Sequence, residues 1–135
     1  MKRYALDSNI VSYILRKDTQ VTNRLQEEIN KGNRVIIPPT VYYEITRGLT
    51  YINATAKIKI FTALCSSGIG ALDKTMFDRA VSIYCNFRKK GVVVDDNDIL
   101  IAAFCQTYNL TLVTNNTKHF AGIHKLLTEN WVYPS

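Results

Sequence analysis

Near its N-terminus the chain reads Tyr4-Ala5-Leu6-Asp7-Ser8-Asn9-Ile10-Val11. Its first three residues form a short apolar run without a breaker, which is typical of a strand buried on both faces. Small polar residues follow, and apolar residues then resume at helical spacing. Asp7 therefore ends a strand at the carboxyl edge of a sheet, where open α/β proteins bind ligands. The same polar residues are also good helix caps, so this stretch alone leaves both interpretations open.

Short apolar runs alternate along the chain with longer segments of helical periodicity. Strands are predicted at 4–6, 34–37 and 110–113, with further candidates at 70–72, 92–94 and 131–133. Helices are predicted at 40–52, 54–65 and 99–108, in a segment ending at Lys90, and in one with Val21, Leu25 and Ile29 on its apolar face. The predicted strands are continuously apolar, as in parallel sheets. We therefore expect an α/β protein with three α/β/α layers and a central parallel sheet of about four to five strands.

Length and composition limit the class of protein. With 135 residues, 47% of them hydrophobic, and no linker, the chain is expected to form a single domain spanning 1–135. Lys and Arg outnumber Asp and Glu by 17 to 11, and the net charge of +6 fits either a nucleic-acid or an acidic protein partner. No apolar run approaches the ~20 residues of a membrane span, and no signal peptide is visible, so we expect a cytoplasmic protein without a membrane partner.

The spacing of cysteine and histidine gives no sign of a zinc site. Cys65, Cys85 and Cys105 form no CxxC pair and lie in apolar helical surroundings. We expect buried, reduced thiols rather than a disulfide. His119 and His124 lack a metal-like spacing, and we expect both to lie on the surface.

Two further acids lie next to apolar helix faces, where a carboxylate is poorly solvated. Glu44 borders the apolar face formed by Val41 and Ile45, where a partly buried carboxylate needs a cation or hydrogen-bond donors. A surface glutamate with its stem along that face is the simpler alternative. Asp98 precedes a helix that is apolar nearly all round, and it shares a face with Ile101. Asp98 is equally suited to cap that helix.

Asn116 ends the strand at 110–113 much as Asp7 ends the first strand. A single concave edge of the sheet could therefore bring together four residues. They are Asp7 and Asn116 at strand ends, Asp98 at a helix start and Glu44 within a helix. Oxygen ligands of this kind suit hard divalent cations such as Mg²⁺ or Mn²⁺.

With these residues in view, the chain resembles the PIN-domain ribonucleases of the VapC toxin type nearly from end to end, which implies a PIN-like α/β/α domain. The resemblance rests on the order and spacing of several pieces together. They are Leu6-Asp7-Ser8-Asn9-Ile10-Val11-Ser12-Tyr13, Tyr43-Glu44-Ile45-Thr46-Arg47-Gly48-Leu49, Asp98-Ile99-Leu100-Ile101-Ala102-Ala103, Leu112-Val113-Thr114-Asn115-Asn116 with Phe120, and Glu129-Asn130-Trp131.

The resemblance implies metal-dependent hydrolysis of RNA phosphodiester bonds, with Mg²⁺ as the cofactor and Mn²⁺ as an alternative. Asp7, Glu44 and Asp98 match the three acids of the family and are the implied catalytic residues. Asp7 and Asp98 are the implied direct metal ligands. Glu44 either ligates the metal or orients the attacking water, and both roles stay open.

One position departs from the family pattern. Asn116 stands where many members have a fourth acid, which implies weaker metal binding at that position rather than an inactive site. Asp95 or Asp96 could compensate for the missing charge. Ser8 and Thr114 match small hydroxyl residues that line the pocket of the family, and the resemblance implies that they contact the metal ligands or a water.

The resemblance also implies partners. These are an RNA substrate, including structured RNA such as tRNA, a small antitoxin protein and a second copy of the chain in a homodimer. Arg16, Arg47 and Lys118 could hold the RNA backbone, although a merely solvated role is open for each.

Two other functions remain as alternatives. A non-catalytic domain that binds RNA or a protein partner on the same scaffold is kept open by Asn116. A Mg²⁺-dependent phosphatase with Asp7 as its nucleophile is disfavoured, because such enzymes need a second Asp two residues later, where this chain has Asn9.

Overall fold

A computed structural model describes residues 1–132. Four strands are present, namely β1 (Arg3–Leu6), β2 (Arg34–Ile36), β3 (Thr111–Val113) and β4 (Thr128–Glu129). Six α-helices accompany them, namely α1 (Ser8–Leu15), α2 (Thr19–Asn30), α3 (Pro39–Tyr51), α4 (Thr55–Leu64), α5 (Lys74–Lys89) and α6 (Asp96–Tyr108). Short 3₁₀ turns lie at Cys65–Ser67 and Thr117–Phe120. No helix of the described part is long and apolar enough to cross a membrane.

The strands form one parallel sheet in the order β2-β1-β3-β4. Ala5 lies opposite Ile36 on one side and Leu112 on the other, so β1 is central. Tyr4, Ala5 and Leu6 are all fully buried, which requires cover on both faces of the sheet. The predicted α/β class with a central parallel sheet is therefore confirmed, and the end of β1 lies in the middle of the carboxyl edge.

Three strand candidates are wrong. Within the described residues no strand forms at 70–72, and an isolated bridge between Ile37 and Ile69 lies just before this segment. A Cβ at Gly70 would overlap the ring of Phe104, so the backbone here runs against α6 and not along the sheet. The segment 92–94 links α5 to α6 with Val93 78% exposed, because the places beside β1 are already taken by β2 and β3.

The candidate at 131–133 is wrong for a different reason. The edge strand is β4, just before it, and Trp131 turns inward to meet Tyr4 edge-to-face at 5.2 Å. Burying the large indole therefore takes precedence over continuing the strand. Tyr133 lies outside the described residues.

Helix α2 is rotated relative to the prediction. Val21 and Leu25 are buried as expected, but the next inward residue is Glu28, which is 3% exposed, and Ile29 is 43% exposed. Glu28 accepts hydrogen bonds from Arg24 Nε at 2.8 Å, Asn33 Nδ2 at 2.7 Å and the Tyr4 hydroxyl at 3.3 Å. These donors satisfy the buried carboxylate, so the charged residue and not the apolar one turns inward.

The cysteine prediction holds only in part. Cys105 is buried and Cys65 is half-buried, whereas Cys85 is exposed on α5, so the expectation of a buried thiol there was wrong. Burial raises the pKa of the Cys105 thiol, and the nearby negative charge of Asp7 raises it further. Cys105 is therefore a neutral core residue directly behind the carboxyl edge.

Candidate active site

Asp7 lies at the point where β1 passes into α1. Its backbone N–H donates to Val113 O at 2.9 Å, which ties it to the neighbouring strand. One carboxylate oxygen accepts the Ser8 N–H at 2.8 Å, and the other accepts the Thr114 hydroxyl at 2.8 Å and the Asn9 amide at 3.3 Å. The residue is 5% exposed, and within residues 1–132 no basic side chain forms an ion pair with it. Asp7 therefore caps α1, and its carboxylate is also a buried negative charge at the end of β1.

Asp98 lies in the first turn of α6 and does not cap it, since the N-cap residue is Asp95. The capping interpretation of Asp98 is therefore wrong. Its side chain is 20% exposed, and Oδ2 lies 3.3 Å from His119 Nδ1. Burial raises the pKa of Asp98, and the charges of Asp7 and Asp95 raise it further, while His119 opposes the rise. The carboxylates of Asp7 and Asp98 are thus close enough to repel one another.

Glu44 lies on α3 between two cavities. Its Oε1 atom is buried and has no hydrogen-bond partner among the described residues. One cavity is lined by Ser12, Leu15, Arg16, Glu44, Ile45, Gly48, Leu49 and Lys57. The other is lined by Pro39, Thr40, Tyr43, Glu44, Arg47, Leu72, Asp95 and Asn97. A buried carboxylate oxygen without a donor is costly, so Glu44 is suited to a cation or donor from outside the chain.

The donor set of this edge fits a hard divalent cation. Asp7 and Asp98 offer oxygen ligands close to one another, and Glu44, on α3, has a separate oxygen without a donor. A cation bound at Asp7 and Asp98 would offset the repulsion between them. In the part of the chain that the structure describes, no three His, Cys, Asp or Glu side chains already stand close enough to share one ion.

The hydroxyl residues and Asn116 occupy different places around Asp7. Thr114 is fully buried, donates to Asp7, and its oxygen also accepts the Asn116 N–H at 3.0 Å. Ser8 contributes its backbone N–H to Asp7. Asn116 is exposed, and it precedes the 3₁₀ turn at Thr117–Phe120 as its N-cap.

Sequence reasoning missed a set of amides that join the ends of β1, β3 and β4. Asn9 accepts the Asn115 N–H at 3.0 Å, and Asn130 donates to the Asn115 side chain at 3.2 Å. It also missed the contact of His119 with Asp98, although both histidines are on the surface as expected. Two features of the sequence could have indicated these contacts. They are the position of Asn9, two residues after Asp7, and the order of the strand ends along the chain.

Comparison with known proteins decides the family. The family model described as "PIN domain" matches residues 4–126. The chain belongs to the PIN domain family.

Named relatives place this PIN domain beside the VapC ribonucleases. Ribonuclease VapC2 of Haemophilus influenzae is 32% identical over 138 residues, covering 98% of this chain and 100% of the relative. Ribonuclease VapC2 of Rickettsia felis is 30% identical over 137 residues, covering 95% of this chain and 97% of the relative. The resemblance stated from sequence is confirmed at the level of the family.

Solved structures agree with this placement. A crystal structure of VapBC2 from Rickettsia felis bound to a DNA fragment from its promoter matches with a TM-score of 0.84 and 29% identity, covering 96% of this chain and 98% of that one. The PIN-like α/β/α fold is therefore confirmed. In this PIN domain the additional acid beside Asp98 is Asp95, whereas Asp96 lines a groove with Phe77 and Tyr84.

Proposed function

We propose that this PIN domain is a metal-dependent endoribonuclease of the VapC type that acts as the toxin of a toxin–antitoxin pair, with Asp7, Glu44 and Asp98 as its catalytic acids. The observation that carries the site assignment is the meeting of Asp7 and Asp98 at the carboxyl edge of the sheet, where burial and the charge of Asp7 raise the pKa of Asp98. The named VapC ribonucleases among its relatives support the reaction class.

Asp7 and Asp98 hold the cation in this proposal, with Mg²⁺ as the cofactor and Mn²⁺ as the alternative. When bound, such an ion lowers the pKa of water and neutralises charge that develops on the phosphate. Thr114 and Asn9 fix the Asp7 carboxylate through hydrogen bonds, which keeps its oxygens aimed at the site. His119 holds Asp98 from the solvent side.

Glu44 is the group that orients the attacking water. Its unpartnered Oε1 can accept a proton from a water placed between α3 and the edge of the sheet. Asn116 has an exposed carboxamide and a backbone held to Thr114, so it contributes a neutral oxygen near the phosphate in place of a fourth acid.

The RNA backbone follows basic side chains on one side of Glu44, where Arg16 and Lys57 line a cavity. Phosphate contacts from lysine and arginine position a nucleic acid without reading its sequence. The net charge of +6 favours the approach of a polyanion such as tRNA.

The partner of this toxin is a small antitoxin protein, and the active form is a homodimer in the cytoplasm. Solved structures similar to this chain include DNA-bound VapBC complexes from Rickettsia felis and Salmonella typhimurium. Exposed apolar residues on α5, among them Phe77 and Val81, and Ile52 just after α3 offer surface for such contacts.

The deciding experiment incubates the purified protein with a pool of structured RNAs in Mg²⁺, Mn²⁺ or EDTA, beside Asp7→Asn. Discrete cuts that require the metal and vanish in Asp7→Asn, Glu44→Gln and Asp98→Asn are expected. Asp78→Asn is the matched control, because Asp78 is exposed on α5 and forms a surface ion pair with Lys74. Retained cleavage in two of the three site variants would show that the site is elsewhere, and RNA binding without any cleavage would favour the non-catalytic binding domain.

A further inference from the structure

Helix α3 presents an exposed aromatic ring directly beside Glu44. Tyr43 is 63% exposed, although aromatic rings are usually covered in a folded domain. The guanidinium of Arg47, one turn later, lies 5.2 Å from the centre of its ring. The contact fixes the orientation of the ring, and much of the tyrosine remains open to a ligand.

Tyr43 and Arg47 form one wall of the second cavity described above, here called the Tyr43 cavity. Its volume is about 520 Å³, within the ~300–1,000 Å³ typical of small-ligand sites. Glu44 lies on the same wall, so anything bound in the Tyr43 cavity is next to a proposed catalytic acid. The volume suits a group larger than a water or an ion.

The opposite wall is chemically different. Asp95 and Asn97 line it from the start of α6, and Leu72, which is 48% exposed, adds an apolar surface. The carboxylate of Asp95 repels a phosphate, whereas it can accept a hydrogen bond from an exocyclic amine or ring N–H. The amide of Asn97 can both donate and accept. The Tyr43 cavity therefore favours a neutral planar group with polar edges over an anion.

We propose that the Tyr43 cavity binds one unpaired nucleobase of the RNA, stacked on Tyr43 and next to the phosphodiester that is cleaved. The proposal rests on the proposed ribonuclease function. It also specifies that the RNA must be unpaired at the base next to the cleaved phosphodiester. The backbone then continues past Glu44 toward Arg16 and Lys57 in the neighbouring cavity. Stacking on an aromatic side chain with polar contacts at the base edges is the usual way in which proteins hold unpaired RNA bases.

The test uses the full chain carrying Asp7→Asn, so that RNA is bound without being cut. The probe is a set of short single-stranded RNAs, each with 2-aminopurine at a different position. Tyr43→Leu is expected to weaken binding about tenfold, the order of one lost base–aromatic stack. Tyr43→Phe keeps the ring and is expected to bind within about twofold of the parent, since stacking needs only the aromatic face.

Tyr51→Leu is the matched control. Tyr51 lies on the same helix and is 88% exposed, but it does not line the Tyr43 cavity. At one probe position the 2-aminopurine emission is expected to change on binding in the parent, Tyr43→Phe and Tyr51→Leu, and not in Tyr43→Leu.

Equal RNA affinity in Tyr43→Leu and Tyr51→Leu would overturn the proposal, as would the absence of RNA binding by the parent. A change of oligomeric state in Tyr43→Leu, seen by light scattering, with unchanged RNA affinity would identify the surface as a protein interface instead. Cleavage by the wild-type chain and its loss in Asp7→Asn are measured separately. The ribonuclease function can therefore stand while the nucleobase site fails.

Discussion

The Asp7 carboxylate has two opposing effects on the stability of the fold. It caps α1 and binds the Thr114 hydroxyl, which stabilises the fold. Its charge also opposes that of Asp98, which is a cost in the absence of a cation. Substitutions that separate hydrogen bonding from charge can therefore distinguish a functional acid from a structural one.

Asp7→Asn keeps an acceptor oxygen and removes the charge. We expect a free energy of unfolding in EDTA that is unchanged or higher by up to about 1 kcal/mol, because repulsion is relieved. Asp7→Ala removes the cap and the Thr114 contact and is expected to cost roughly 1–2 kcal/mol. Urea unfolding of both variants measures this. A large loss in Asp7→Asn alone would mean that the charge itself holds the fold together.

At the scale of one element, α2 shows where sequence reasoning stops. The helical repeat of 3.6 residues allows either Glu28 or Ile29 to follow Leu25 on the buried face, and hydrophobicity selects Ile29. The fold selects Glu28, because Tyr4 from β1 and Asn33 from the following turn supply donors. Those donors come from elsewhere in the chain, so periodicity within the helix could not reveal them.

Glu28→Ala is expected to cost roughly 3 kcal/mol, since it leaves Arg24, Tyr4 and Asn33 without their acceptor. Glu27→Ala, on the exposed side of the same helix, should stay within about 0.5 kcal/mol of the wild-type protein. Chemical denaturation at neutral pH makes the comparison. Similar costs for the two variants would contradict a buried acceptor network.

The same network predicts a pH dependence. Burial raises the pKa of Glu28, but the hydrogen bonds from Arg24 and Asn33 outweigh it and leave the pKa below its ordinary value of 4.5. The stability that Glu28 contributes is thus fully present above pH 4.5 and is lost as the pH falls through the lower value of the folded state. The gap in unfolding free energy between wild type and Glu28→Gln should shrink over that window. If the difference in unfolding free energy between wild type and Glu28→Gln stays constant with pH, ionised Glu28 does not make this contribution to stability.

Alanine substitutions at two glycines are expected to change the stability of the protein in opposite directions. Gly70→Ala would drive a methyl group into the Phe104 ring and is expected to cost about 1–3 kcal/mol. Gly48→Ala lies in the interior of α3 with no atom within 4 Å of the added carbon, and it is expected to stabilise by about 0.5–1 kcal/mol. Thermal denaturation of the pair tests the close approach at Gly70, and equal shifts would refute it.

For the molecule as a whole, the order of apolar runs along the chain was enough to predict a parallel sheet, and the end of the first run was enough to place Asp7 at its carboxyl edge. The sequence could not show that 92–94 fails to pair, because that depends on which places beside β1 are filled, or that the backbone at Gly70 runs against Phe104 of α6. Nor could it show that His119 reaches Asp98, since this depends on the path of the segment after β3. Local pattern predicts elements, and tertiary packing decides their partners.

The salt dependence of the proposed RNA binding is also a property of the whole molecule, because it depends on how many phosphates the basic side chains contact. Arg16→Ala and Lys57→Ala should each lower the slope of log affinity against log salt by about 0.7, the value for one phosphate contact on a single strand. Lys59→Ala is the control, because Lys59 is on the same helix as Lys57 but lines neither cavity beside Glu44. Filter binding over a range of salt concentrations measures the slopes. An equal effect of Lys59→Ala would mean that attraction is spread over the surface.

Trp131 is the one tryptophan of the chain, and it is buried between Tyr4 and the guanidinium of Arg24. The segment that carries it also contacts the carboxyl edge of the sheet, since Glu129 O accepts the Thr114 N–H and Asn130 donates to Asn115. Its intrinsic fluorescence therefore reports on the docking of this segment without any label. A red shift of the emission that precedes the loss of helical circular dichroism would reveal a state in which the helices are still folded but this segment has separated from the carboxyl edge of the sheet.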